Sequence, residues 1–295
     1  MELIKIKEGI YYIPNNTNIG VIADGDKAIL IDTGIDNDTI KKAVKVIQEN
    51  GLTPFAIINT HSHADHCGGN RWLQENHKVK IYASEFEADI ICTPELEPFY
   101  LFSGAKPISE LENKFLKAEP TDDINLIIEG KQAIARKEIE IIPLYGHSPK
   151  QIGVLVDNVL FCADSYFPKE TIEKHKIIYF TDIEQSKKTL EWLSNSNFDF
   201  YLPSHGKLDT DIKELVELNL NHIQNISVLI ENIVNDDIST TEEILGKVCD
   251  LSSLEIKNVQ QYYLMNTVVM SYLSYLKGKG EISFYIKNNM LFWKK

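Results

Sequence analysis

The segment His61–His66 carries side chains that can bind metal ions. Three of its six residues are histidines and one is an aspartate, whereas the whole chain contains eight histidines. Imidazole and carboxylate groups are ligands for zinc, iron and similar ions. The four metal-competent residues are His61, His63, Asp65 and His66. This density indicates a metal site rather than a polar loop that contains histidines by chance.

The position of this segment predicts how its side chains converge. It directly follows the apolar run Ala56–Asn59, which we predict to be a strand, and it precedes Gly68 and Gly69. In a loop that leaves a strand, alternate residues can point to one place, so the first two histidines can bind one ion. The aspartate and the third histidine can turn toward a second ion about 3.5–4 Å away, the separation found in two-metal hydrolases. The two glycines leave room for the tight turn that this requires.

Short apolar segments bounded by turn residues predict strands on both sides of the cluster. We expect strands within residues 3–32 and at 56–59, 79–82, 125–128, 138–143, 153–156, 159–163 and 199–202. Helical spacing of apolar residues predicts helices over 36–50 and 182–195. Residues 84–123 contain four prolines and the apolar run Phe99-Tyr100-Leu101-Phe102, and we predict a partly helical insertion that could serve as a lid.

The pattern changes after residue 208. A long helical stretch reaches about Val234, a second helix follows Thr240, a third covers about 257–276, and two short strands flank Asn288-Asn289. Helices followed by a β-hairpin are the element order of a winged-helix module. We therefore predict two domains, residues 1–208 and a helical, winged-helix-like module at 209–295.

Several motifs resemble those of the metallo-β-lactamase superfamily. The stretch HSHADHCGG resembles the H-x-H-x-D-H signature of that family, and IDTG upstream resembles its turn. Three more ligands occur in the family's order: His147 in GHSP, Asp164 in FCADSYF and His205 in PSHG. The resemblance covers roughly residues 5–208. It implies an α/β (α+β) fold, a four-layer αββα sandwich with the metal ions at the edge between its two sheets.

The resemblance also implies a role for each ligand. The implied ligands of the first ion are His61, His63 and His147, and those of the second are Asp65, His66 and His205. Asp164 is implied to bridge the two ions, which makes Asp65 and Asp164 the predicted catalytic carboxylates. Asp32 is implied to orient a ligand through a hydrogen bond, with an ordinary turn aspartate as the alternative. We expect two divalent ions, Zn²⁺ in the first place, with iron or manganese as alternatives because ligand type does not separate these metals.

The implied chemistry is hydrolysis. A water that bridges two dications becomes a hydroxide near neutral pH, and the same ions polarise a carbonyl oxygen. The motifs most resemble the glyoxalase II-like branch, whose members cleave thioesters, so we expect a small ester, thioester or lactone substrate. Residues expected to contact it are Phe99, Tyr100, Phe102 and Tyr166. For the aromatic run in the insertion, core packing or a dimer contact is the alternative.

Two other reactions stay open. Superfamily members with a similar C-terminal module include enzymes that act on RNA, so a nucleic-acid phosphodiesterase is one alternative. The formal net charge of −13 disfavours it, as does the presence of only two arginines, Arg71 and Arg136. Residues 238–295 carry seven lysines and five acidic residues, a weak attraction for phosphate. The second alternative is an iron-dependent sulfur dioxygenase, and the complete ligand set favours a hydrolase over it.

Composition limits the remaining classes. Hydrophobic residues make up 43% and charged residues 25% of the chain, which is typical of a soluble globular protein. We find no apolar run of membrane-spanning length and no signal-peptide pattern, so we expect a cytoplasmic protein without a membrane partner. The widely spaced cysteines are expected to be reduced, with Cys67 packed beneath the ligand loop. A homodimer is kept as an alternative because winged helices also form dimer contacts.

Overall fold

The computed structural model describes residues 1–236 and 238–295, which form two compact units. Unit 1 consists of Met1–Tyr145, Pro149–Ser165 and Asn197–Asp211. Unit 2 consists of Gly146–Ser148, Tyr166–Ser196 and Ile212–Lys295. The long C-terminal part of unit 2 begins close to the predicted boundary at 208/209. Unit 2 also takes in two earlier segments that lie within the first predicted domain, and the two predicted domains stay a prediction.

The first sheet of unit 1 has seven strands in sequence order. They are β1 (Ile4–Lys7), β2 (Ile10–Ile13), β3 (Ile19–Asp24), β4 (Lys27–Ile31), β5 (Thr53–Ile58), β6 (Lys80–Ala83) and β7 (Ile124–Leu126). Strands β1 to β4 pair antiparallel, and β4 to β7 pair parallel. The β3–β4 turn at Gly25-Asp26 is the predicted hairpin, with Gly25 at φ +66°. The parallel strands bring the carboxyl ends of β4 and β5 to the same edge.

The second sheet of unit 1 has five strands in the order β12-β11-β10-β9-β8. They are β8 (Gly130–Ile134), β9 (Lys137–Pro143), β10 (Ile152–Val156), β11 (Val159–Ala163) and β12 (Phe200–Pro203). Strand β8 was missed because its sequence, GKQAI, is largely polar and lacks an apolar run. Strand β12 pairs parallel to β11, so Asp164 and Ser204 both leave the same edge of this sheet.

The core of unit 1 lies between the two sheets. One buried cluster joins isoleucines of the first sheet, such as Ile22 and Ile29, to Ile141, Val154 and Phe161 of the second. The opposite face of the first sheet is covered by α1 (Asn37–Glu49), the predicted helix at 36–50, whose buried residues are Ile40, Ala43, Val44 and Ile47. Asp36 caps this helix by accepting the Thr39 N–H at 3.0 Å. Apolar spacing alone therefore orients α1 on the sheet.

The remaining helices of unit 1 follow β5 and β6. They are α2 (Ala64–Cys67), α3 (Asn70–His77), α4 (Glu85–Cys92) and α5 (Leu96–Leu101), with a 3-10 turn at Ser109–Leu111. The last three elements lie in the segment 84–123 that was predicted to be a partly helical insertion. The side chains of Phe99 and Tyr100 are 43% and 39% exposed. Their proposed role in a lid stays a prediction.

Unit 2 contains five helices and a hairpin among the residues that the structure describes. They are α6 (Lys169–His175), α7 (Ile183–Asn195), α8 (Lys213–Asp236), α9 (Thr241–Leu251), α10 (Val259–Gly278), β13 (Ser283–Lys287) and β14 (Met290–Lys294). The hairpin turn has positive φ at both Asn288 and Asn289, the backbone of a type I′ turn. A capping box between Thr240 and Glu243 begins α9. The predicted mixed α/β class with a helical C-terminal region is confirmed, whereas the winged-helix name stays a prediction.

The helices that the structure describes include none with the length and apolar character that a membrane span requires.

Gly68 tests how tightly the turn after the histidine cluster is packed. A Cβ added there would lie 2.1 Å from the Ile35 carbonyl oxygen and 2.7 Å from that of Ala64. Because both are backbone atoms, we expect Gly68→Ala to lower the free energy of unfolding by about 3 kcal/mol, the upper end for overpacking. Chemical denaturation followed by circular dichroism measures this.

The matched control is Gly246→Ala, where an added Cβ meets no atom within 4 Å in the middle of α9. Since alanine favours helix by about 1 kcal/mol over glycine, this variant should be at least as stable as the parent. Equal stability of the two variants would contradict the close packing described around Gly68.

Candidate metal centre

Strand ends of unit 1 carry six of the seven predicted ligands. His61 and His63 lie in the loop after β5, and Asp65 and His66 lie in α2. The other two predicted ligands in unit 1 are Asp164, which directly follows β11, and His205, which lies two residues after β12. Since β5 belongs to one sheet and β11 and β12 to the other, the ligands meet at an edge of the two-sheet core.

The ligand atoms of two residue groups in unit 1 lie within 4.8 Å of one another. The first group is His61, His66 and Asp164, and the second is Asp65, His66 and His205. In the second group, His205 Nε2 lies 3.3 Å from Asp65 Oδ2, and His66 Nε2 lies 3.7 Å from the same oxygen. Ligand atoms about 2.1 Å from one tetrahedral ion are about 3.4 Å apart. The spacing therefore fits a shared cation.

The two oxygens of Asp164 face different histidines. Asp164 Oδ1 lies 3.6 Å from His66 Nε2, and Asp164 Oδ2 lies 3.3 Å from His205 Nε2. The backbone before it is unusual, because Ala163 has φ +51° and the β11–β12 pairing shifts register between Phe161 and Ala163. Such irregularities cost free energy and redirect the next side chain. Here the side chain that follows the shift is the carboxylate between the histidines.

His66 provides the clearest test of whether these residues suit a metal ion. Its side chain is fully buried, and its Nδ1 lies 2.8 Å from Asp32 Oδ2. Among the residues that the structure describes, its Nε2 has no hydrogen-bond partner. A buried polar atom without a partner costs free energy. A cation on Nε2 satisfies this atom, and the donor set around it, imidazole and carboxylate, is one that divalent ions accept.

Asp32 holds this histidine and the start of the ligand loop together. Asp32 directly follows β4 with φ +60°, and its oxygens accept hydrogen bonds from Thr60 N at 2.8 Å and Thr60 Oγ1 at 2.7 Å. The third bond, to His66 Nδ1, leaves His66 Nε2 directed at Asp65 and Asp164. This is the contact that the implied orienting role requires. Its effect on metal binding stays a prediction.

The loop between β2 and β3 supports two further ligands, and sequence patterns missed it. Thr17 Oγ1 donates to Asp65 Oδ2 at 2.8 Å, and His205 Nδ1 lies 2.7 Å from the Asn16 carbonyl oxygen. Asn18 Nδ2 donates to the carbonyls of Pro203 and Gly206, on either side of His205. The only signal in the sequence is the polar run NNTN between two strands, which is equally typical of an ordinary turn.

Glu87 was also missed. It lies on α4 with 0% of its surface exposed, and its carboxylate accepts the backbone N–H groups of Ser62 and Lys150, both at 2.9 Å. Ser62 stands between His61 and His63. Glu87 has an acidic residue two positions to either side and resembles a solvated helix face in the sequence, so no local pattern identified it.

Burial and opposite charge set the protonation of the site. Burial lowers the pKa of His205, but the carboxylates of Asp164 and Asp65 outweigh burial and raise it to about 10. Burial raises the pKa of the Asp65 carboxyl, but His66 and His205 outweigh it and hold the pKa below its usual value. Burial lowers the pKa of His63 to about 4, against the attraction of Asp65. The carboxylates of Asp65 and Asp164 thus favour positive charge among the histidines that surround them.

The other predicted site residues have different surroundings. His147 belongs to unit 2, where its Nδ1 lies 2.9 Å from the Tyr179 carbonyl oxygen, and Tyr166 is a buried residue of the same unit, 1% exposed. Phe102 is half-buried in unit 1. Their roles as metal ligand or substrate contacts stay predictions. Cys67 is buried and donates to the Ser62 carbonyl at 3.2 Å, as expected of a residue packed beneath the loop.

Comparison with known proteins places this chain in a family. The profile of the metallo-beta-lactamase superfamily matches residues 12–205. A probable metallo-hydrolase of Bacillus subtilis is 25% identical over 143 residues, which are 48% of this chain and 62% of that protein. A hydroxyacylglutathione hydrolase of Prochlorococcus marinus is 28% identical over 156 residues, which are 52% of this chain and 51% of that protein. The chain thus spans about half to three fifths of the length of these curated relatives.

Solved structures agree on the fold. A metallo-beta-lactamase family protein of Thermus thermophilus superposes with a TM-score of 0.76 at 16% identity, covering 99% of this chain and 100% of that one. A beta-lactamase domain protein of Burkholderia ambifaria gives the same TM-score and identity, covering 99% and 93%. At this identity the likeness concerns the fold alone, and it extends over both units. With two thirds of its length matched by the family profile, the chain belongs to the metallo-β-lactamase superfamily.

Proposed function

We propose that this chain is a metal-dependent hydrolase that acts on the carbonyl carbon of a small ester, thioester or lactone. The observation that carries the proposal is the buried His66 Nε2, which has no hydrogen-bond partner in the described part of the chain and faces Asp65 and Asp164. When bound, two divalent cations, Zn²⁺ in the first place, lower the pKa of water to near neutrality and polarise a carbonyl oxygen.

The residues of the chain would hold the ions and orient the ligands. Asp164, with one oxygen toward His66 and the other toward His205, is suited to contact both ion positions. Asp65 accepts a hydrogen bond from Thr17 Oγ1 at 2.8 Å and lies 3.3 Å from His205, so its carboxylate is fixed where it would hold the second ion, and it remains a proposed catalytic carboxylate. Asp32 keeps His66 in one orientation. No serine or cysteine nucleophile is needed, and the raised pKa of the Cys67 thiol, caused first by its burial, keeps it protonated.

The substrate class rests on the relatives and on charge. The named relatives include a probable metallo-hydrolase and a hydroxyacylglutathione hydrolase, the second named for a thioester substrate. The net charge of −13 disfavours nucleic acid, since phosphates are repelled by an acidic surface. Phe99 and Tyr100 on α5 offer exposed aromatic surface for an acyl group. Phe102 and Tyr166 remain proposed substrate contacts.

Replacing Asp164 with alanine tests the proposed shared carboxylate. We expect the variant to bind less than two metal ions per chain and to lose more than about 100-fold in turnover, more than is lost when a residue that only hydrogen-bonds a ligand is removed. Elemental analysis and kcat measure the two effects. The matched control is Asp89→Ala on the exposed face of α4, which should leave both unchanged. Full turnover in Asp164→Ala would exclude a bridging role.

A substrate panel tests the reaction class. The purified protein is assayed with chromogenic esters, thioesters, lactones and bis-p-nitrophenyl phosphate, before and after removal of metal with a chelator. We expect turnover of carbonyl substrates that is lost with the metal and restored by Zn²⁺. Activity on the phosphodiester alone would favour a nuclease. A single bound iron without hydrolysis would favour the sulfur dioxygenase alternative.

A further inference from the structure

Glu87 is a buried acidic residue on a helix whose other acidic residues are exposed. Its neighbours on α4, Glu85 and Asp89, face solvent, whereas none of the Glu87 surface is exposed. A buried carboxylate is costly unless hydrogen bonds compensate it. Two backbone N–H groups donate to it, Ser62 to Oε2 and Lys150 to Oε1, each at 2.9 Å. Burial of the Glu87 carboxylate is therefore compensated by two hydrogen bonds to the backbone, and the role of the side chain follows from the residues that it binds.

The first of these bonds acts on the peptide between two predicted metal ligands. Ser62 separates His61 from His63, and its N–H belongs to the peptide that joins it to His61, so the bond to Glu87 fixes this peptide plane and restrains the backbone between the two histidines. The neighbouring bonds do not replace it. Asp32 holds Thr60, and Cys67 Sγ donates to the Ser62 carbonyl at 3.2 Å. Glu87 is therefore the side chain that accepts the Ser62 N–H in this ligand loop.

The second bond, from the Lys150 N–H to Glu87, is one of two hydrogen bonds by which α4 and its N-cap residue hold the Lys150 backbone. Ser84, the N-cap residue of α4, makes no capping bond to its own helix, and its Oγ donates to the Lys150 carbonyl at 2.7 Å. Ser84 and Glu87 thus bind the carbonyl and the N–H of one residue from a single turn of α4. Lys150 lies just before β10, whose first residue, Ile152, donates its N–H to the Thr60 carbonyl at 2.9 Å. The first turn of α4 therefore braces the ligand loop directly and through β10.

We propose that Glu87 is a positioning residue of the metal centre, which holds the His61–His63 loop in the geometry that binds a metal ion. This proposal rests on the proposed function, because it assumes that these histidines are ligands. Glu87 does not belong to the groups of metal-competent residues described above, and it acts through the backbone of the loop. Its contribution is to fix the loop backbone before the metal arrives, so that less conformational freedom is lost on binding.

The variant Glu87→Gln tests this role with little change of volume. The amide keeps one acceptor oxygen, so one of the two backbone N–H groups meets an NH₂ group instead. We expect zinc affinity to fall about 10- to 100-fold, the range for residues that orient metal ligands. The loss should concern one of the two zinc equivalents, because the Asp65, His66 and His205 group does not involve this loop bond. Competition with a chromophoric zinc chelator measures both equivalents without substrate.

Glu97 supplies the matched control. It is also buried, 4% exposed, and burial together with the charges of Asp65 and Glu87 raises its pKa well above the usual value. Because the Ser62 N–H of the ligand loop donates to Glu87 and not to Glu97, Glu97→Gln should change zinc affinity less than about twofold, a shift of under 0.5 kcal/mol. Thermal unfolding of the metal-free proteins shows how much stability each variant loses.

The outcomes separate positioning from stability. Weaker zinc binding in Glu87→Gln alone, with metal-free stability close to that of the parent, supports the proposal. Parent-like zinc affinity in Glu87→Gln overturns it, as does an equal loss of affinity in both variants. If Glu87→Gln fails to fold, Glu87→Asp keeps the charge and should give an intermediate loss of affinity, and parent-like affinity there overturns the proposal. A parent protein that binds no zinc overturns the proposed function itself, and the parent is titrated first to distinguish that case.

Discussion

The hydrogen bond between Asp32 and His66 is the interaction on which the arrangement of the site depends. It joins the end of β4 to α2, and the same carboxylate binds the backbone and side chain of Thr60 at the end of β5. One buried residue thereby fixes the position of a strand end and the orientation of a ligand. Because His66 Nδ1 is occupied by this bond, His66 Nε2 is left for the centre of the cluster.

The sheets provide the rigid support for this arrangement. Parallel pairing of β4 with β5, and of β11 with β12, brings four carboxyl ends to the same edge of unit 1. The interior between the sheets is closely packed with isoleucine, valine and phenylalanine, which resists displacement of the strands. Local strain at Asp32 and Ala163, both at positive φ, is tolerated because this packing and the surrounding hydrogen bonds maintain it.

The polar residues around the centre form a second set of supports with a different origin. Thr17, Asn16 and Asn18 from the β2–β3 loop hold Asp65 and the His205 segment, and Glu87 from α4 holds the loop between two histidines. Most of these supports act on the backbone or on the outer nitrogen of a histidine, whereas Thr17 donates to Asp65 Oδ2, the oxygen that faces His205 and His66. Supports of this kind are expected of a site that is organised before its ion binds.

The sequence by itself determined the chemistry and the local elements. The six-residue cluster predicted a metal site because its donors are adjacent in the chain, and α1 was predicted from apolar spacing because that signal is local. The resemblance to family motifs extended the predicted ligand set to His147, Asp164 and His205. Polar strand β8 and short helix α6 carried no periodic signal and were missed.

Only the tertiary structure decided the supports of the site. Glu87 bonds residues 25 and 63 positions away, and Thr17 bonds a residue 48 positions away. Hydrogen bonds between residues so far apart produce no recognisable spacing in the sequence. A glutamate on a helix or a threonine in a turn is equally common on a solvated surface. Which of these residues are buried, and against which backbone groups, follows from how the two sheets and α4 pack together, and that packing is a property of the whole of unit 1.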